Sequence, residues 1–189
     1  MPDPAAAPSA EAHPSHTHDH GHDHEHPAGE GPDRRPLTTA VLDAQDERRL
    51  AAQLFNGVWE LLERPQRSRA EDDAMLHAAH ASRHHWGVVG EPVNWARGEW
   101  QISRVYAVLR RAEPALHHAR RYLALVTEHE LEPFDLGYAH EAHARAFMVA
   151  GRPADQAHHV AQARAASDKI TDAEERELLV QDLAQLDSD

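Results

Sequence analysis

Two stretches of this chain align without gaps and decide the fold that we predict for the rest. The first reads Val105-Tyr-Ala-Val-Leu-Arg-Arg-Ala-Glu-Pro-Ala-Leu-His-His-Ala119, and the second reads Ala146-Phe-Met-Val-Ala-Gly-Arg-Pro-Ala-Asp-Gln-Ala-His-His-Val160. Each residue of the second stretch follows its counterpart by 41 positions (146 − 105). Helical hairpins that recur at such a spacing cannot bury their apolar faces alone, so they stack and share a core. The repeat therefore predicts an all-helical array of stacked hairpins.

Prolines and capping residues divide the chain around these stretches into seven predicted helices. Four prolines stand where the first turn of a helix tolerates them. Ser68 with Glu71, and Thr171 with Glu174, have the spacing of a capping box. A loop is predicted from Gly87 to Glu91. The predicted helices are Thr39–Arg64, Ser68–Trp86, Pro92–Arg111, Pro114–Glu128, Pro133–Gly151, Pro153–Ser167 and one that starts at Thr171 and places Leu179, Leu183 and Leu186 on one stripe.

The two stretches resemble the tetratricopeptide repeat over roughly Pro92 to Ser167. The packing positions of that family are occupied here by Ile102, Tyr106, Leu109, Ala115, Ala119 and Leu123, and in the next copy by His143, Phe147, Ala150, Gln156, Val160 and Arg164. Gly151 stands at the turn glycine of the family, where the earlier copy has Arg110. The resemblance implies about three antiparallel hairpins followed by a C-terminal capping helix. An irregular helical bundle is the alternative.

The resemblance also implies a peptide-binding groove along the first helix of each hairpin. The positions that would line it are Arg97, Trp100, Arg104 and Val108, followed in the next copy by Tyr138, Glu141, Arg145 and Val149. Arginine binds carboxylates through two parallel hydrogen bonds, and Trp and Tyr supply rigid contact area. Such a groove would hold an acidic segment or a C-terminal carboxylate. The alternative is a solvated charged face on which Arg104 and Arg145 pair with nearby acids.

Composition excludes several classes of function. The chain has a formal net charge of −13 with histidine neutral, which disfavours a general nucleic-acid-binding protein. It has no cysteine, so disulfides and thiolate metal sites are excluded. The sequence shows neither a secretory signal at its start nor an apolar run long enough to span a membrane, and we expect a cytoplasmic protein. No nucleophile elbow, phosphate loop or dinucleotide fingerprint is present.

Residues 1–36 differ in composition from residues 37–189, which we predict to be the helical domain. The first segment is rich in proline and glycine and almost free of large apolar side chains, so we predict that it is disordered. Histidine occupies every second position of one stretch: His16, His18, His20, His22, His24 and His26. Imidazole suits Zn and Ni, with Cu and Co as further options. The segment is therefore predicted to bind divalent metal ions.

The second predicted helix carries a stripe of further candidate metal ligands. Asp73, His77, His80 and His84 lie within one narrow sector of that helix. The stripe spans roughly 16 Å at about 1.5 Å per residue, so one ion cannot contact all four. A complete site would need a ligand from another helix, from the N-terminal segment or from a second chain. A row of surface histidines is the alternative.

The remaining histidine pairs have simpler interpretations. His140 and His143 resemble a zinc-protease helix motif but are one residue too close together, so we reject a protease and interpret His143 as a core or interface residue. His117-His118 and His158-His159 occupy matching places in the two repeats, which repeat ancestry explains.

The sequence leaves three candidate functions. The leading hypothesis is a non-catalytic interaction module with a metal-binding histidine-rich segment for metal buffering or delivery. The second is a metal-dependent enzyme or metal sensor that uses His77, His80 and His84. The third is a structural oligomeric module.

Overall fold

The structure is a computed structural model that describes residues 42–186. All of these residues belong to one compact unit, Thr38–Asp189. This part of the chain is entirely helical, with no β-strand, which confirms the predicted all-α class. Its seven helices are α1 Ala44–Leu62, α2 Arg69–Val89, α3 Pro92–Val108, α4 Ala112–Glu128, α5 Pro133–Val149, α6 Pro153–Ser167 and α7 Ala173–Leu186. None of these helices is long and apolar enough to cross a membrane.

Local signals place most of the helix ends as predicted. Pro92, Pro133 and Pro153 each open a helix, where the missing N–H group would have no partner within the helix. The capping box at α2 is present: the Ser68 backbone N–H donates to Glu71 Oε2 at 2.7 Å, and the Glu71 N–H donates to the Ser68 hydroxyl at 3.3 Å.

Several predicted boundaries are wrong. Helix α1 begins at Ala44 instead of Thr39, because the Asp43 side chain caps it, and α3 ends at Val108 instead of near Arg111. The predicted loop at Gly87 is helical because one glycine inside a helix costs only about 1 kcal/mol, and α2 ends two residues later at Val89, with Gly90 as its cap. Helix α4 begins at Ala112, so Pro114 occupies its third position. The cap of α7 is Asp172 rather than Thr171, since Asp172 Oδ1 accepts from the backbone N–H groups of the two residues that follow Ala173.

The turns after α3 and α5 share one backbone conformation, as their 41-residue spacing leads one to expect. Arg110 and Gly151 both have positive φ, at 59° and 67°. The Arg111 N–H donates to Tyr106 O, and the Arg152 N–H donates to Phe147 O in the same way. Arg110 therefore adopts the left-handed conformation that glycine has at the matching position of the later copy. This conformation costs an arginine some backbone strain.

Each helix packs against the helices that precede and follow it, and α3 also contacts α1 and α5, while α5 contacts α7. Close approach depends on small residues. A Cβ atom on Gly137 of α5 would lie 2.4 Å from Leu179 Cδ2 of α7, so the glycine allows α7 to lie directly against α5. Leu179, Leu183 and Leu186 are buried at 0–2% exposure, which confirms the predicted stripe on the last helix.

The stripe on α7 gives a direct test of this packing. Leu179→Ala should lower the free energy of unfolding by about 2–5 kcal/mol, because it removes a fully buried side chain and leaves a cavity against α5. The matched control is Leu178→Ala on the same helix, where the side chain is 54% exposed and the change should stay within about 0.5 kcal/mol. Urea unfolding measures both, and equal effects of the two variants would contradict the packing of α7.

Candidate partner-binding face and histidine clusters

Glu141 of α5 is the centre of a charged cluster that joins three helices. Its side chain is 0% exposed. Its Oε1 accepts hydrogen bonds from Arg104 Nη1 of α3 at 3.0 Å and from Arg145 Nε of α5 at 2.6 Å. Trp100 Nε1 donates to Oε2 at 3.4 Å. Two guanidinium groups thus compensate a carboxylate that has lost its hydration.

Asp182 of α7 completes this cluster from the other side. Its Oδ1 lies 3.6 Å from Arg104 Nη2 and 4.0 Å from Arg145 Nη2, and the Tyr138 hydroxyl donates to its Oδ2 at 3.1 Å. We call Arg104, Glu141, Arg145 and Asp182 the Glu141 network. Its two cations and two anions balance, although the buried Arg145 Nη2 lacks a well-formed hydrogen bond.

Arg97 forms a second ion pair, nearer to solvent. Its Nε and Nη2 donate to the two carboxylate oxygens of Asp135 at 3.0 and 3.1 Å, and the Tyr122 hydroxyl donates to the same carboxylate at 2.9 Å. The hydrogen bond to Asp135 raises the pKa of Arg97. The Arg97 side chain is 44% exposed, against 15% for Arg104 and 11% for Arg145. Arg97 is therefore the most accessible of the three arginines.

Aromatic rings occupy the space between these ion pairs. The ring of Trp100 lies 5.3 Å from that of Trp59 of α1 and 5.1 Å from that of Tyr138, measured between centroids. The Tyr138 ring in turn lies 4.8 Å from that of Phe134. Such contacts fix the aromatic side chains in place.

The six predicted partner-binding residues do lie together, but not all on the surface. Tyr138 and Glu141 are buried, at 5% and 0% exposure. Arg104 and Arg145 are paired with acids, which is the alternative that the sequence left open. Sequence reasoning missed Asp182, because nothing in the sequence indicates that α7 returns an acid to this cluster.

The three candidate metal ligands of α2 do not converge. His80 Nε2 forms a hydrogen bond with the Tyr106 hydroxyl at 3.1 Å, and its ring lies 5.4 Å from that of His118 of α4. His84 instead contacts the ring of His85. His77 is exposed. Between Leu42 and Leu186, no three histidine, aspartate or glutamate side chains are placed to hold one metal ion.

His118 belongs to a cluster built around a buried glutamate. Glu99 of α3 is 3% exposed and contacts His118 Nδ1 at 2.7 Å, Arg83 Nε at 3.0 Å and Arg121 Nε at 3.1 Å. Burial alone would raise the pKa of Glu99, but hydrogen bonds from His118 and Arg121 and the charges of both arginines outweigh it and hold that pKa at about 2. The cluster ties α2 and α4 to α3.

A different histidine cluster lies between α5 and α6. His140 Nδ1 and His159 Nδ1 are 3.1 Å apart. The His143 ring is stacked on the His159 ring, with centroids 4.5 Å apart and planes inclined by 7°. His143 is 4% exposed, and its Nδ1 lies 2.8 Å from Ala139 O. The buried position predicted for His143 is thus confirmed, but its two neighbours were not anticipated.

Burial disfavours a positive charge in this cluster. It lowers the pKa of His140 and His159 to about 4 each, assisted by the neighbouring imidazoles, and it also lowers the pKa of His143. All three rings are therefore neutral near pH 7, so one of the two facing Nδ1 atoms carries a proton and donates a hydrogen bond to the other.

The six histidines from His16 to His26 lie outside the described residues, so their metal-binding role stays a prediction, as do the boundary at residue 37 and the predicted disorder. Comparison with protein-family models, with curated proteins and with solved structures found no match to this chain. The resemblance to the tetratricopeptide repeat consequently depends on the residues quoted above.

The histidine cluster predicts a specific pH dependence of stability. His140 and His159 have a lower pKa when folded than the ordinary 6.5, so the unfolded chain binds more protons between about pH 6.5 and 4. The free energy of unfolding of the metal-free protein should fall as the pH drops through this window. His159→Gln should flatten the decline, whereas His117→Gln, at an exposed position on α4, should not. Urea unfolding at half-unit pH intervals measures this, and identical slopes for both variants would contradict it.

Proposed function

We propose that the chain is a non-catalytic interaction module with the arrangement of a tetratricopeptide-repeat array and an N-terminal segment that binds divalent metal ions. The pattern of contacts supports the arrangement. Helices α1 and α2, α3 and α4, and α5 and α6 pack as successive pairs, while α3 also contacts α1 and α5, and α5 contacts α7. In a stacked array the first helices of successive hairpins adjoin in this way, and α7 would be the capping helix.

The observation that carries the interaction role is the arrangement of Arg97, Trp100, Arg104, Tyr138, Glu141 and Arg145 along α3 and α5. The Glu141 network and the aromatic rings packed beside it hold this face rigid, which lowers the entropy cost of binding. Arg97 presents a guanidinium that is 44% exposed at its edge. An incoming carboxylate would share this guanidinium with Asp135, while Tyr138 and Glu141 act as buried support. The proposed partner is an acidic segment or a C-terminal carboxylate.

The metal role belongs to the N-terminal segment. Its six alternating histidines provide enough imidazoles for Zn or Ni, and its acidic residues add possible oxygen ligands. The alternative of a metal-dependent enzyme or sensor at His77, His80 and His84 gains no support from the geometry, because His80 and His84 contact different neighbours and His77 is exposed.

The metal role is tested in the full chain with His16, His18, His20, His22, His24 and His26 all replaced by asparagine, a variant that we call the six-Asn chain. Calorimetric titration with Ni²⁺ or Zn²⁺ should show fewer tight metal equivalents in the six-Asn chain than in the parent chain. Circular dichroism controls for the helical fold, which should be unchanged. Retention of every tight equivalent in the six-Asn chain would remove the proposed role of this segment.

The partner role is tested with a labelled hexaglutamate peptide and fluorescence anisotropy, in the presence of a metal chelator. Arg97→Gln should weaken binding by roughly tenfold or more, the scale of a lost charged hydrogen bond. The control is Arg49→Gln on α1, where the arginine is 65% exposed and pairs with Asp46 within its own helix. No measurable binding by the parent chain, or equal losses in the two variants, would contradict this face as the binding site.

A further inference from the structure

The cluster between α5 and α6 contains an arrangement that repeat ancestry does not explain. Ancestry accounts for His159, which matches His118 at the 41-residue spacing. It does not account for His140, whose counterpart is Glu99. In the earlier copy a carboxylate faces the imidazole, whereas in the later copy a second imidazole faces it.

The surroundings of the two positions differ in charge as well. Glu99 is neutralised by Arg83 and Arg121. The residues that stand 41 positions after these arginines are Ala124 and Gln162, which carry no charge. The later copy thus has one imidazole in place of the carboxylate and lacks the two arginines, so that two imidazoles face each other. From this pair we infer a metal site: His140 and His159 bind one Zn²⁺, Ni²⁺ or Cu²⁺ ion between α5 and α6 through their Nδ1 atoms.

The geometry of the facing nitrogens fits two ligands of one ion. The two Nδ1 atoms are 3.1 Å apart. Two nitrogens at about 2.0–2.1 Å from a tetrahedral zinc ion lie about 3.3–3.4 Å from each other. The two nitrogens therefore need to move apart by only a few tenths of an ångström to contact one ion. The ring that carries its proton on Nδ1 moves that proton to Nε2, so that both Nδ1 atoms offer a lone pair.

Neighbouring contacts orient the rings for this role. The ring of His159 is stacked against those of His143 and Phe147 of α5, with centroids at 4.5 and 5.5 Å. The two ligand rings are also half-buried rather than enclosed, so an ion can reach them from solvent.

The ligand set determines the class of ion. Imidazole nitrogen favours Zn²⁺, Ni²⁺ and Cu²⁺, and it is a poor ligand for Mg²⁺ and Ca²⁺, which prefer oxygen. Two protein ligands leave the remaining coordination positions open, since no third metal-binding side chain converges here among residues 42–186. The site would cross-link α5 to α6 and hold an exchangeable ion, and it does not depend on the N-terminal histidines.

The test uses the six-Asn chain, so that N-terminal histidines do not obscure the site. Calorimetry with Zn²⁺ should show one equivalent, and Zn²⁺ should raise the unfolding temperature because it binds only the folded state. His140→Gln and His159→Gln should each weaken binding at least tenfold, while the controls His158→Gln and His117→Gln should retain it. Circular dichroism without metal verifies that each variant is folded.

Electron paramagnetic resonance of Cu²⁺ bound to the same six-Asn chain provides a readout that needs no further substitution. Hyperfine splitting from two imidazole nitrogens is expected. The inference is overturned if the folded six-Asn chain binds no Zn²⁺, if binding survives both His140→Gln and His159→Gln, or if fewer than two nitrogens coordinate the copper. None of these outcomes tests the N-terminal segment. Its metal role is tested separately, by comparing the number of ions that the parent chain and the six-Asn chain bind.

Discussion

The buried carboxylate of Glu141 is the constraint on which the candidate binding face depends. A charge without hydration is unfavourable by several kcal/mol unless close partners compensate it. Arg104 from α3 and Arg145 from α5 provide that compensation, and Asp182 from α7 balances the second positive charge. Since these partners come from three helices, the requirement to satisfy one carboxylate fixes the relative positions of all three.

This constraint also limits what the face can recognise. Arg104 and Arg145 already bind an acid, so an acidic partner that approached them would have to displace an ion pair that is held inside the protein. Arg97 differs, because its pair with Asp135 lies at the edge and nearly half of its side chain is exposed. Selectivity for a carboxylate would accordingly come from the accessible guanidinium of Arg97 alone, and not from three arginines that are all free to bind it.

Local signals in the sequence were sufficient for most of the fold. Pro92, Pro133 and Pro153 mark helix starts because proline lacks the N–H that a first turn leaves unused, and Ser68 with Glu71 marks another. Gly87 misled the prediction because a glycine weakens a helix without ending it. The 41-residue spacing also anticipated the matching turns at Arg110 and Gly151.

The candidate sites were harder to predict, because they depend on which helices meet. The resemblance to the tetratricopeptide repeat placed Arg104 and Glu141 on the groove but did not show that they pair. It also gave no indication of Asp182, which lies in a helix with no repeat counterpart. The stripe of His77, His80 and His84 was a real feature of one helix, but His80 and His84 contact different neighbours and His77 is exposed. The sequence alone shows that His140 stands where the earlier copy has Glu99. It indicates a metal site only after the packing of α5 on α6 is seen to bring His140 next to His159.

A double-mutant cycle between Arg104 and Glu141 tests the central claim most directly. The free energies of unfolding of the parent chain, Arg104→Met, Glu141→Gln and the double variant give the coupling energy of the pair. A buried ion pair that joins α3 to α5 predicts a coupling of about 2 kcal/mol or more. A value below about 0.5 kcal/mol, as two independent surface residues would give, would contradict the account.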